Sequence, residues 1–243
     1  SYDMYDYEVS ENHFLGKTVD VLKKEDIPTI HHKNFRGDWR RLRSWIVGFD
    51  NSILYDFKIE IRSPILKGEP GLKKLLKVVR ILEQNKYKFD NSCGLHVHID
   101  MENFSFKEIK NLIRFFVIYG DEISEYLPQH RENNSYCFPI ENVYGTKNKF
   151  LLALDNCKDK YEIPRLLPSR HTKINVADLE RNVDSKNIEF RQHHMTFKEE
   201  EIKNWIRFIA FIARESRIGR FIDRAQLTLK NKPSLNDIIT GNV

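Results

Sequence analysis

Cys93-Gly94-Leu95-His96-Val97-His98-Ile99-Asp100 is the stretch on which the fold turns. Its strict period of two predicts a short strand, with Leu95, Val97 and Ile99 on one face and His96, His98 and Asp100 on the other. Two imidazoles and a carboxylate on one face of an otherwise apolar strand leave two readings, a wet face or the floor of a site.

Two further stretches repeat the design. Residues 45–50 and 53–62 predict a hairpin turning near Asp50-Asn51-Ser52. Phe57, Ile59 and Ile61 form its apolar face, Lys58, Glu60 and Arg62 its polar face, and Ser63-Pro64 ends it. Residues 188–192 predict the last strong strand, with Ile188 and Phe190 inward and Glu189, Arg191 and His193 on the opposite face. A shorter strand is expected over residues 173–177, delivered by a loop carrying Arg170 and His171.

The helices follow from 3.6-residue spacing. Gly68-Glu69-Pro70-Gly71 opens one whose stripe is Leu72, Leu75, Leu76, Val79 and Leu82. Ser105 with Glu108 makes a capping box before Ile109, Leu112, Ile113, Phe116 and Val117, with Gly120 as a stop. A helix is expected over residues 147–157. Thr196 with Glu199 gives a second capping box before a long helix that buries Ile202, Trp205, Ile206, Ile209, Ile212 and Ala213. Arg207, Arg214, Arg217, Arg220 and Arg224 lie along its other side as a solvated face. At the start, residues 1–9 alternate aromatic and acidic residues, giving either a strand bearing Asp6 and Glu8 or a frayed end, before a helix over residues 10–24. His31-His32 and the arginines 36–43 read as a solvated basic connection, and the tail past Pro233 as weakly ordered.

Composition bounds the class. At 243 residues with 40% hydrophobic and 31% charged content, the chain can bury a sizeable core and is not of disordered type. The net charge of +5 permits anionic ligands without by itself indicating nucleic-acid binding. Three scattered cysteines suggest a reducing compartment, and no apolar run approaches a membrane span, so a cytoplasmic protein is expected. With no repeat or low-complexity linker, residues 1–243 are taken as one domain.

If the three charged strands are neighbours, two carboxylates and an imidazole converge with several guanidinium groups. Such an oxygen-rich set suits Mg²⁺ or Mn²⁺ better than structural zinc. Arginines beside divalent cations are what a transferring phosphoryl group requires. Taken singly, an HxH on a strand is more often structural than catalytic, and Glu60 can equally be a cross-strand ion pair.

The runs Glu60-Ile61-Arg62-Ser63-Pro64-Ile65-Leu66-Lys67-Gly68, Cys93 to Ile99, and Ile188-Glu189-Phe190-Arg191-Gln192-His193 together resemble the putative amidoligase family. These are carboxylate–amine ligases similar to glutamine synthetase. The likeness runs from about Trp45 to Trp205. It implies an α+β, glutamine-synthetase-like fold, a curved antiparallel sheet with helices on its outer face. It also implies ATP-dependent amide formation through an acyl-phosphate, from small-molecule or peptide carboxylates and amines. By motif, Glu60, His96 and Glu189 resemble metal ligands and His98 a contact to ATP phosphate. Arg191 resembles the arginine that stabilises the transferring phosphoryl. Arg62 is a further cofactor contact, and Arg131 and Arg170 are substrate or phosphate contacts. The family's usual first strand, Glu-x-Glu, has only Asp6-Tyr7-Glu8 as its counterpart, so Glu8 is the expected ligand there unless that strand precedes Ser1. A phosphotransferase of the same fold, or a catalytically incomplete ATP- and metal-binding protein, are the alternatives.

Overall fold

A computed structural model describes residues 3–34, 42–50, 52–53, 58–132, 134–180, 186–218 and 234–240. The chain divides into two compact units, residues 1–93 with 196–200, and residues 94–195 with 201–243. The boundary falls immediately before Gly94, the first residue of the histidine strand.

In the first unit, α1 runs Asp3–Lys24, β1 Thr29–His31, β2 Trp45–Phe49, β3 Ile59–Arg62 and α2 Gly68–Gln84. The strand considered for residues 1–9 is not present among the described residues, because α1 runs through residues 3–9. Nothing between Asp3 and Ser10 breaks a helix, and extending an existing helix costs far less than nucleating a separate element. The hairpin forms, with β2 antiparallel to β3, while residues 54–57, including Phe57, lie outside the described residues. Its turn begins with Asp50, whose carboxylate accepts from the Ser52 backbone N–H at 2.9 Å. The three-stranded sheet has the order β1-β2-β3, with β1 parallel to β2. Trp45, Val47, Ile59 and Ile61 pack with Leu15, Val19 and Leu22 of α1 and Val78, Ile81 and Leu82 of α2. Alternation therefore turns Glu60 and Arg62 to the opposite face.

The second unit contains β4 (Gly94–Asp100), α3 (Phe106–Ile118), α4 (Gly120–Glu125), α5 (Glu141–Tyr144) and α6 (Lys147–Asn156). It continues with α7 (Ile163–Leu166), β5 (Ile174–Asn175), β6 (Asn187–His194), most of α8 (Glu199–Ile218) and α9 (Leu235–Thr240). Its sheet is antiparallel throughout, in the order β4-β6-β5. One face carries Leu95, Val97, Ile99, Ile174, Ile188 and Phe190 into a core with Ile109, Leu112, Ile113 and Phe116 of α3 and Trp205, Ile209 and Ile212 of α8. Phe116 and Phe190, ring centroids 4.5 Å apart, tie α3 to the central strand.

The Ser105 capping box is present as expected: its hydroxyl accepts from the Glu108 N–H at 3.3 Å, and the Glu108 carboxylate accepts from the Ser105 N–H at 2.6 Å. At the second expected box, Thr196 accepts from the Lys198 N–H at 3.1 Å, and the Glu199 carboxylate accepts two hydrogen bonds from Arg80 of α2. Gly120 starts α4 rather than ending α3, which stops at Ile118 with Tyr119 between them. The restart carries Ile123 into the core, 2% exposed. Within the tail expected to be weakly ordered, residues 235–240 form α9, capped by Ser234, with Leu235 and Ile238 buried. Arg220 and Arg224 lie outside the described residues.

The expected single sheet is thus two small sheets within a mixed α+β architecture. The strand of Glu60 belongs to the first, and those of His96 and Glu189 to the second.

Candidate functional site

The central strand β6 places Glu189 in a row across the second sheet, opposite His98 on one side and Asn175 on the other. Glu189 is only 6% exposed, yet it points away from the helices. Its Oε1 accepts from Arg191 Nη1 at 2.5 Å and lies 2.9 Å from His96 Nδ1 and 3.7 Å from His98 Nε2. Its Oε2 accepts from Asn175 Nδ2 at 2.7 Å. Burial pushes this carboxyl up, but the hydrogen bond with His96 and the charges of His98, His96 and Arg191 outweigh it. The result is a pKa held down at about 2. Glu189 is therefore an anion at neutral pH, fully occupied by donors.

Arg191 is anchored on three sides. Its backbone N–H donates to Lys173 at 3.0 Å, its Nε to the Tyr136 carbonyl at 3.1 Å, and its Nη1 to Glu189. The register slips here. Leu95 pairs with His193 and Val97 with Phe190, so two residues of β6, Arg191 and Gln192, oppose the single residue His96. This is a β-bulge, and it changes the phase of the strand. His193, expected beside Glu189 and Arg191, is turned to the helix side instead. There it is 5% exposed, with its ring centroid 5.2 Å from that of Trp205.

Of the expected site residues, the second unit brings together Glu189, Arg191, His96 and His98. His98 is the exposed member, steadied by Asn187 Oδ1 at 2.8 Å from its Nδ1. Arg170 is exposed one residue from His171, and its Nε donates to His171 Nε2 at 3.4 Å. Burial, then the charges of Arg191 and Arg170, lower the His171 pKa. Arg131, expected as a substrate contact, is 3% exposed and donates to the backbone carbonyls of Arg191 (2.7 Å) and Gln192 (3.4 Å). Asn175 and His171 join the cluster without having been assigned roles. Their proximity to Arg170 in the connecting stretch was their one signal. Around the fully buried Cys137 thiol stand Arg131, Lys173 and Arg191, and burial pushes that thiol's pKa up.

In the first unit, Arg62 Nε lies 3.0 Å from Glu60. Across β2, Gly48 leaves room for His32 and Arg62. A Cβ there would stand 3.2 Å from the His32 Cβ and 3.3 Å from Arg62 Nη2. His32, read as surface, thus approaches the Glu60 face, and burial followed by the charge of Arg62 lowers its pKa. Glu8 lies in α1, not in a strand, and its side chain is outside the described residues.

Magnesium, a hard cation, asks for about six oxygens in near-octahedral geometry. The second unit's floor offers one carboxylate, already holding a guanidinium and an amide. Among the described residues no three His, Cys, Asp or Glu side chains converge as a metal-holding group. The floor does not by itself build a magnesium shell. With Arg191 held against Glu189 and the exposed Arg170 beside His171, the floor presents guanidinium groups suited to an anionic partner.

Fold and site together define an α+β protein with a cluster of carboxylate, guanidinium and imidazole on the sheet face opposite the helices. A family model described as putative amidoligase enzyme matches residues 4–213, and the chain belongs to that family. Membership marks it as an enzyme of ligase type acting on small-molecule substrates. Neither the curated proteins nor the solved structures contain a match. Among the described residues no helix is long and apolar enough to cross a membrane.

Proposed function

We propose that the protein is an ATP-dependent carboxylate–amine ligase working through an acyl-phosphate, on a glutamine-synthetase-like scaffold. A substrate carboxylate oxygen attacks the γ-phosphorus as the bond to ADP breaks. An amine nitrogen then attacks the acyl carbon, phosphate leaves with the C–O electron pair, and the surplus amine proton passes to solvent. The observation that carries this reading is the Glu189–Arg191–His96 cluster, a fixed guanidinium beside the exposed His98 in a chain of the amidoligase family. Arg191 offsets charge on the transferring phosphoryl, His98 and Arg170 contact its oxygens, and Glu189 holds Arg191 and His96 in place.

The proposed cofactors are ATP and Mg²⁺ or Mn²⁺. The ion would arrive on the nucleotide, whose phosphates supply oxygens that the floor lacks. Glu60 and Arg62, paired on the first unit's sheet, are that unit's proposed metal and phosphate contacts. The test is mass spectrometry of ATP-containing reactions with amino acids, peptides and polyamines, run on wild type and Arg191→Ala. The expected result is an amide product with stoichiometric ADP and phosphate, falling by about 10³-fold in the variant. A stable phosphorylated product without amide would replace the reading by phosphotransfer. Calorimetry showing no ATP binding would replace it by a non-catalytic role.

A further inference from the structure

We infer that Arg131 is a positioning residue whose guanidinium holds the β6 bulge in the conformation that aims Arg191. In a regular strand, consecutive carbonyls point to opposite sides, so one side chain cannot bond two in a row. Arg131 does so, donating from Nη2 to Arg191 O at 2.7 Å and from Nε to Gln192 O at 3.4 Å. These are the two residues that oppose His96 across the bulge. The planar fork of arginine matches two fixed acceptors, whereas lysine presents a single point charge. The guanidinium is 3% exposed and approaches over Gly94, where a Cβ would stand 3.0 Å from Arg131 Nη2 and 2.8 Å from His96 Nε2. Gly94 is therefore the gap that admits both side chains. The clamp acts on the backbone of Arg191 itself and thereby on where its side chain leaves the strand. It also sets the phase that seats His193 against Trp205.

The kinetic arm of the test rests on the ligase reading, and the spectroscopic arm does not. Arg131→Lys and Gly94→Ala are compared with wild type after 5-fluorotryptophan labelling of the three tryptophans. The ¹⁹F resonance of Trp205 is expected to move in both variants, while that of Trp45, in the first unit, holds. Turnover is expected to fall by about 10²-fold, the scale of a misplacement near 1 Å, with KM for ATP within about twofold. Loss of folding in Arg131→Lys would leave Gly94→Ala, which keeps the charge, as the deciding variant. A chain without ligase turnover is decided by the Trp205 resonance alone. An unmoved resonance overturns the inference. So does a raised KM for ATP with kcat unchanged, which would make Arg131 a substrate contact.

Discussion

Glu189→Gln tests the electrostatic account of the site most directly. The substitution keeps the shape and removes the charge from a side chain 6% exposed. The Glu189 carboxyl sits at about 2 against an ordinary 4.5, a difference of about 3 kcal/mol at ~1.4 kcal/mol per tenfold. The amide also brings an N–H₂ to a position ringed by the donors Arg191 and Asn175, leaving the Arg191 guanidinium without its anion. Breaking a buried pair in this way costs ~3–5 kcal/mol. The expected destabilisation at pH 7 is therefore about 3 kcal/mol, measured by urea denaturation followed by circular dichroism. The pH dependence has a fixed sign. A carboxyl with a depressed folded-state pKa contributes stability that is present above 4.5 and is lost as pH falls toward 2. The gap between wild type and variant should shrink to about half by pH 3. A cost below about 1 kcal/mol at pH 7, or a gap that stays constant on acidification, would refute the reasoning.

Two further outcomes are expected. Ser105→Ala removes one half of a closed capping box and should cost about 1 kcal/mol. Thermal unfolding of the single variants and of Ser105→Ala with Glu108→Ala should show non-additive losses, since each half of the box supports the other. His193 has its pKa lowered, chiefly by burial, so the folded state favours the neutral ring and stability declines as pH falls below about 6.5. His193→Phe should keep the ring packing on Trp205 and flatten the stability profile between about pH 6.5 and 5. An unchanged slope would count against a neutral buried His193.

Local pattern was enough where one element packs on one core. The alternation of residues 94–100 and 188–190, the stripe of α2 and the Ser105 box are each specified within a few neighbouring residues. The failures share a cause, the tertiary context. Residues 3–9 alternate like a strand but are continuous with a helix that is already nucleated, and the helix wins. Gly120 looks like a stop, yet burial of Ile123 favours restarting the helix there. The tail past Pro233 reads as weakly ordered, yet within it α9 places Leu235 and Ile238 in the core.

The same division runs through the site. That His96, Glu189 and Arg191 share a face was legible, because alternation alone determines it. Which strands lie side by side was not: the Glu60 motif has the same alternation, yet its strand is in the other sheet. Nor does a period of two reveal where it is broken. Ile188 to Arg191 alternates and Gln192 and His193 are both polar, but that the extra residue falls at Arg191–Gln192 is visible only in the pairing with β4. A bulge needs a reason outside its own strand, since it disrupts the ladder locally. Here the neighbours supply one, with Arg131 bonding the two carbonyls and Gly94 leaving space for the approach. A buried arginine and a glycine, far apart in sequence, thus account for a feature that the strand's own residues conceal. The residues that aim the charged cluster are therefore found by following its backbone acceptors outward, rather than by adding charges to its list.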